Sequence, residues 1–186
     1  MGTENGAPAG RLLASGRTAD VYALPGGRVL RRYRHGRDAG PEATGATLAG
    51  LLDRLHALPG GLVHLDLHPE NVLRTARGPV VIDWCNAREN RPPGRDRAVS
   101  ALILAEAAAG PYPAAGPVLT ALLDHLRPAG GGEGQPPFTE AELTWAGDLR
   151  RANPTLDAAE KRTLDRALER LAEQAARAPG RAKGDR

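Results

Sequence analysis

Residues 63–84 constrain the fold of this chain more than any other stretch. Two short apolar runs, 71–73 and 80–82, lie on either side of an Ala-Arg-Gly-Pro segment at 76–79. A Gly-Pro step between runs that contain β-branched residues is typical of a β-hairpin turn. Because the strands of a hairpin are antiparallel, we expect the start of the first run and the end of the second to meet.

Polar side chains mark this end of the predicted hairpin. Asn71 begins the first run, Asp83 directly follows the second, and Asp66 lies on the loop that enters the hairpin. Carboxylate and carboxamide oxygens are the ligands that hard divalent cations prefer. The pattern therefore predicts a cation site here, with one carboxylate left over to handle a proton.

The order of these residues resembles that of a known family. Segment 64–71 contains His-Leu-Asp, four further residues and Asn, and segment 82–84 is Ile-Asp-Trp. Both resemble loops of the kinase-like phosphotransferases, H-R-D-x-x-x-x-N and D-F-G. Leu65 in place of Arg, the run His-Pro-x-Asn at 68–71, and Asp-Trp in place of Asp-Phe-Gly are similar to the aminoglycoside phosphotransferase and choline kinase branch.

This resemblance implies an α+β, protein-kinase-like fold. A small N-terminal antiparallel β-meander would precede a mainly helical C-terminal lobe that carries the catalytic hairpin. We expect a partial nucleotide lobe at 1–44, the catalytic lobe at 45–178 and a disordered tail at 179–186. The implied activity is ATP-dependent transfer of the γ-phosphoryl group to a hydroxyl of a small molecule, with ATP and Mg²⁺ as cofactors.

The resemblance also implies roles for single residues around the hairpin. Asp66 would accept or orient the proton of the acceptor hydroxyl, and His64 would support the catalytic loop by hydrogen bonding. Asn71 and Asp83 would hold Mg²⁺ against the phosphates, and Trp84 would pack in the core beside the metal ligand. His68 is expected to fix the loop near the metal site.

Three further residues are expected to bind the nucleotide. Gly16 begins a turn that would cover the phosphates, and Glu42 lies where the nucleotide-lobe Lys would find its partner. That Lys is missing, because no lysine precedes Lys161. Arg31 is the nearest match and Arg32 the next, although the guanidinium fork differs in length and direction from an ammonium. A hairpin turn at Gly16 and a solvated surface Glu42 are the plain alternatives.

The chain departs from the family between Glu42 and His64. The residues that separate them carry leucines at helical spacing over 45–58, which predicts one helix and leaves no room for hinge strands. Nothing there would hold adenine in the usual way. The alternative function is therefore a degenerate, non-catalytic kinase-like domain or gene remnant with weak or no nucleotide binding.

Sequence patterns predict the remaining elements. Asp96 is expected to cap a helix and to hydrogen-bond toward the catalytic loop, and Thr139 is expected to open a capping box. The last helix is expected to begin at Asn153-Pro154. A mobile loop is expected at 128–137. The predicted strands are 11–15, 21–24 and 28–33, and the predicted helices after the hairpin are 97–109, 114–126, 139–151 and 154–177.

Composition narrows the class of protein. The formal net charge is +3, and Tyr33 is the one aromatic residue within the arginine cluster at 31–37, so we do not expect nucleic-acid binding. No apolar run is long enough for a membrane span, and the first ten residues lack the features of a signal peptide. We expect a cytoplasmic protein, and the sequence predicts no oligomeric state.

The sequence disfavours an internal disulfide and a zinc site. The single cysteine, Cys85, excludes an internal disulfide and a cysteine-based zinc site. His64 and His68 have the spacing of a zinc-binding pair on a helix, but Pro69 and the intervening Asp argue against a helix that carries both.

Overall fold

The computed structural model describes residues 11–15, 19–23, 29–33, 40–110, 112–127 and 135–177. The chain divides into two compact units, Met1–Asp38 and Ala39–Arg186. The predicted division between residues 44 and 45 falls inside a helix of the second unit. The predicted tail at 179–186 and most of the predicted loop at 128–137 lie outside the described residues.

The first unit contains the predicted antiparallel meander. Its strands are β1 (Arg11–Ser15), β2 (Ala19–Ala23) and β3 (Val29–Tyr33), and β2 pairs with both neighbours. The register of β1 against β2 shifts between Leu12 and Ala14, so β1 carries a bulge. Each strand has only five residues, which makes this a small sheet.

The second unit begins with helix α1 (Pro41–His56), which has proline in its first turn, where the missing N–H is not needed. Its buried leucines lie on one face, as the spacing predicts: Leu48, Leu51, Leu52 and Leu55. The helix ends two residues before the predicted end, and Leu58 is exposed.

The hairpin follows α1. Strands β4 (Val72–Thr75) and β5 (Gly78–Val81) are antiparallel, with Val72 opposite Val81 and Thr75 opposite Gly78. The turn is therefore tighter than predicted and consists of residues 76 and 77. Gly78 has φ +112°, a conformation that glycine adopts without strain.

Helix α2 (Pro93–Ala109) is the centre of the second unit and contacts each of the other described helices. It begins at Pro93, so the prediction that Asp96 caps it is wrong. Asp96 lies inside the first turns and is fully buried. The first helical position suits Pro93 because proline is preset for helical φ.

Three helices complete the unit: α3 (Ala115–His125), α4 (Glu140–Arg151) and α5 (Ala158–Arg177). The capping box of Thr139 and Glu142 at the start of α4 is confirmed. The predicted start of the last helix is wrong, because Asp157 rather than Asn153 accepts the first free N–H groups, those of Ala159 and Glu160.

The described core lies within the second unit and consists mainly of leucine, alanine and valine, with one phenylalanine, Phe138. It is formed by α1 to α5 together with the loop residues Val63, Leu65 and Leu67. Among the helices of the described residues, none combines the length and apolarity needed to cross a bilayer.

Candidate active site

The loop between α1 and the hairpin is held at both ends by backbone hydrogen bonds. Val63 and Arg88 exchange two of them, at 2.9 and 3.0 Å. At the other end the Ile82 N–H donates to the Asn71 carbonyl at 2.9 Å. This bond extends the hairpin past β4 and β5, so Asn71 and Asp83 lie at the same end of it, as predicted.

Asn71 contacts Asp66. Its amide nitrogen lies 2.8 Å from the Asp66 carbonyl oxygen and 3.5 Å from the Asp66 Oδ2 atom. Asn71 is buried at the end of a short 3-10 turn, and the Asp66 side chain remains 25% exposed. The contact fixes the loop around a carboxylate that a substrate can still reach.

A second amide lies against the same carboxylate oxygen. The Asn86 Nδ2 atom is 3.5 Å from Asp66 Oδ2, although the two residues are 20 positions apart. Asn86 ends the short 3-10 turn that follows Asp83. No local sequence pattern identifies Asn86, because the contact depends on how the turn after the hairpin folds back.

His68 lies between these groups. Its Nε2 atom is 3.2 Å from the Asn71 amide nitrogen and 4.0 Å from Asp66 Oδ1. Burial lowers the pKa of His68, against the raising effect of the Asp66 carboxylate. Neutral His68 therefore accepts the Asn71 N–H at Nε2 and carries its own proton on Nδ1.

His64 is fully buried and joins the loop to the strand end before Asp83. Its Nε2 atom is 3.0 Å from the Ile82 carbonyl oxygen, which can only accept, so Nε2 carries the proton. The His64 ring also meets the Trp84 ring edge-on, with centroids 4.9 Å apart. Both contacts connect the loop with the residues on either side of Asp83.

Trp84 corrects one prediction. It is 43% exposed rather than in the core, because it lies on the short turn after β5, outside the packed helices. Its indole N–H donates to the Val81 carbonyl at 3.2 Å. The planes of its ring and of the His64 ring meet at 60°.

Asp83 has an unusual backbone conformation. Its φ is +61°, a left-handed value that costs a non-glycine residue about 1 kcal/mol or more. The Asp83 carboxylate raises the pKa of the exposed Cys85 thiol nearby. The conformation turns the chain sharply after β5, and the carboxylate stays exposed.

The side chains at this hairpin end fit Mg²⁺ better than zinc. Asn71 and Asp83 offer an amide oxygen and a carboxylate, and Mg²⁺ needs few protein ligands because it retains water and binds phosphate oxygens. The described residues contain no group of three or more His, Cys, Asp and Glu that could hold a metal. His64 and His68 direct Nε2 at Ile82 and Asn71, respectively, and form no zinc pair.

Asp96 makes the contact with the loop that the sequence predicts. Its Oδ1 accepts the Leu65 N–H at 2.7 Å and its Oδ2 accepts the His64 N–H at 2.9 Å. Leu65 has φ +62°, and Asp66 follows it directly. His56 also reaches Asp96 Oδ2, at 3.0 Å, and was not predicted to do so.

The residues expected to bind the nucleotide are described only in part. Gly16 lies outside the described residues, and Arg31 is described as backbone in β3, opposite Val21. Glu42 lies in the exposed first turn of α1, where its carboxylate is 2.8 Å from His125 Nε2. The nucleotide roles of these three residues stay predictions.

Comparison with known families agrees with the resemblance found in the sequence. The model of the phosphotransferase enzyme family matches residues 31–92, a segment that contains α1, the loop and the hairpin. This match confirms the predicted aminoglycoside phosphotransferase and choline kinase-like family for that segment. Neither the curated proteins nor the solved structures include a match to the chain.

Proposed function

We propose that this protein is a Mg²⁺-dependent phosphotransferase that moves the γ-phosphoryl group of ATP to a hydroxyl of a small molecule. The observation that carries the proposal is the contact of Asn71 with Asp66 at the hairpin end that also bears Asp83. All three residues lie in the segment that matches the phosphotransferase family.

In the proposed reaction Asp66 acts on the acceptor. Its partly exposed carboxylate takes the proton of the acceptor hydroxyl while that oxygen bonds to the γ-phosphorus and the bond to the ADP oxygen breaks. Base catalysis of this kind is worth about 10²- to 10⁴-fold in rate. The amides of Asn71 and Asn86 hold the carboxylate for this task.

Asn71 and Asp83 would hold Mg²⁺, which neutralises charge on the phosphates when bound. Asn71 offers its amide oxygen, because its amide nitrogen is directed at Asp66 and His68. Asp83 offers an exposed carboxylate, which raises the pKa of the nearby Cys85 thiol.

A degenerate, non-catalytic domain is the second candidate. It is favoured by the short path from β3, which ends at Tyr33, to α1, which begins at Pro41, since this leaves little chain for a hinge. The absence of any lysine before Lys161 also favours a non-catalytic domain. Positioning of the nucleotide is most of what such an enzyme contributes, so both losses would lower affinity and rate together.

Two measurements on the full chain separate these candidates. Calorimetric titration with ATP and Mg²⁺ should show binding, and ADP release should increase when hydroxyl compounds such as aminoglycosides or choline are added. Asp66→Asn should abolish turnover and leave binding and the circular dichroism spectrum unchanged. A folded chain that shows no binding would refute the enzyme, and turnover by the Asp66→Asn variant would refute the assigned base.

A further inference from the structure

The buried carboxylate of Asp96 accepts hydrogen bonds from two parts of the chain. The backbone N–H groups of His64 and Leu65 reach it from the loop, at 2.9 and 2.7 Å. The third partner is the His56 side chain at the end of α1, whose Nε2 lies 3.0 Å from Oδ2. A carboxylate only accepts, so His56 Nε2 carries the proton.

His56 has no second polar task in the part of the chain that the structure describes. Its side chain is 5% exposed, and its Nδ1 atom is buried without a hydrogen-bond partner. The contact with Asp96 is therefore the polar contact that orients this ring.

The loop needs such an anchor. Leu65 has φ +62°, a strained value for leucine that persists only where the surroundings hold it. The bond from Leu65 N–H to Asp96 Oδ1 holds it directly, one residue before Asp66. The terminal torsion of an aspartate is soft, so bonds from His56 and His64 to Oδ2 determine which oxygen faces Leu65.

We propose that His56 is a positioning residue that fixes the Asp96 carboxylate and, through it, the strained backbone that presents Asp66. The effect of His56 on catalysis rests on the proposed function, whereas the effect of His56 on the loop backbone does not. The competing explanation is that His56 only ties α1 to α2. Asp53 also does this, since its Oδ1 lies 3.5 Å from Arg97 Nη2.

A matched set of variants of the full chain distinguishes these explanations. His56→Gln keeps a donor at nearly the same reach, and His56→Met has similar length without a donor. Asp53→Asn weakens the other polar link between α1 and α2 and leaves Asp96 untouched. Amide hydrogen exchange of residues 64 and 65 is the measurement, read relative to global unfolding.

We expect exchange at both amides to be about tenfold faster in His56→Met, the effect of one net hydrogen bond, and within about twofold of wild type in the other two variants. Equal exchange in the Met and Gln variants would overturn the proposal. Faster exchange in Asp53→Asn, as large as in His56→Met, would show that His56 is only a tie between helices.

Two further readouts complete the test. The ¹⁵N shifts of the His56 ring in the wild-type chain should show a proton on Nε2, and a proton on Nδ1 alone would overturn the proposal even if His56→Met does not fold. Where turnover is observed, His56→Met should lower kcat about tenfold at unchanged KM for ATP, and His56→Gln should restore it. A wild-type chain without turnover refutes the proposed function alone.

Discussion

At the scale of single residues, two side-chain amides lie against the Asp66 carboxylate. Asn71 and Asn86 both place Nδ2 at 3.5 Å from Oδ2, and His68 is 4.0 Å from Oδ1. In the proposed reaction, donors on Oδ2 would leave Oδ1 for the acceptor hydroxyl. Loss of the Asn71 amide should have a larger effect than loss of the Asn86 amide, because Asn71 also donates to the Asp66 carbonyl.

Asn86→Ala tests how much the Asn86 amide contributes beside that of Asn71. We expect kcat to fall about three- to tenfold, because the lost bond is long and exposed, while KM for ATP and the melting temperature stay unchanged. Steady-state kinetics and thermal melts check it. Asn71→Ala is the reference and should abolish measurable turnover. An Asn86→Ala variant with wild-type kcat would show that Asn71 alone orients the carboxylate.

The contacts at this scale divide by sequence separation. Asn71 follows Asp66 by only five residues. The predicted hairpin therefore already places Asn71 close to both Asp66 and Asp83. The contact of Asn86 with Asp66 spans 20 residues, and that of His56 with Asp96 spans 40. Both depend on how separate elements pack, which no local pattern encodes. Asp96 was expected to reach the loop, but was wrongly expected to cap its helix.

At the scale of elements, the packing of α1 on α3 depends on one glycine. A Cβ atom on Gly45 would lie 2.5 Å from the Ala121 Cβ and 2.6 Å from the Leu122 backbone nitrogen. Backbone atoms cannot move aside as a flexible side chain can. Gly50, in the same helix, has only the end of the Arg54 side chain within 4 Å, at 3.7 Å.

This pair of glycines gives a matched prediction. Gly45→Ala should lower the free energy of unfolding by about 1–3 kcal/mol, because overpacking outweighs the gain in helix propensity. Gly50→Ala should raise it by about 0.5–1 kcal/mol, since only propensity changes there. Urea unfolding of both variants checks the signs. Equal effects would mean that α1 and α3 cross elsewhere.

An ion pair between α2 and α4 makes stability depend on pH. Glu106 Oε2 lies 2.8 Å from Arg150 Nε, and burial raises the pKa of Glu106 above its usual 4.5, against the lowering effect of Arg150. The folded state thus binds the Glu106 proton more tightly than the unfolded state. The stability that this proton contributes is fully present below pH 4.5 and is lost as pH rises through the folded pKa.

Glu106→Gln should remove the pH-dependent contribution of Glu106 to stability. The free energy of unfolding of wild type minus that of the variant should decrease as pH rises above 4.5 and stay constant once pH exceeds the folded-state pKa of Glu106. Denaturant unfolding at several pH values measures the difference. A difference that grows with pH would mean that Arg150 outweighs burial.

Helix ends show how far elements were predictable. The apolar spacing located each helix of the described second unit, and the Thr139 capping box placed the start of α4 correctly. Pro93 and Asp157 began helices that were predicted to begin elsewhere. Both carried recognised signals, proline at the first position and Asp-x-x-Glu at 157–160. Asp96 and Asn153 are residue types that also cap helices, and sequence alone does not show which side chain accepts the free N–H groups.

At the scale of the whole molecule, the described hydrophobic core belongs to the second unit. Every residue of the described core cluster lies between Leu48 and Leu171, within the second unit. That cluster joins all five helices of the unit and the loop that presents Asp66. The first unit contains a sheet of three five-residue strands, and such a sheet needs a hydrophobic face or a packed helix to be stable on its own.

A chain of residues 39–186 should therefore fold without the first unit. We expect the helical circular dichroism of the full chain, one cooperative thermal transition and protected amides at residues 64 and 65, because His56 and Asp96 both remain. If residues 1–38 supply the nucleotide contacts, calorimetry should detect ATP and Mg²⁺ binding in the full chain and none in the shorter one. A shorter chain that lacks cooperative unfolding would show that the meander completes the core. A folded shorter chain with unchanged ATP affinity would place the nucleotide contacts in the second unit and refute the roles predicted for Gly16 and Arg31.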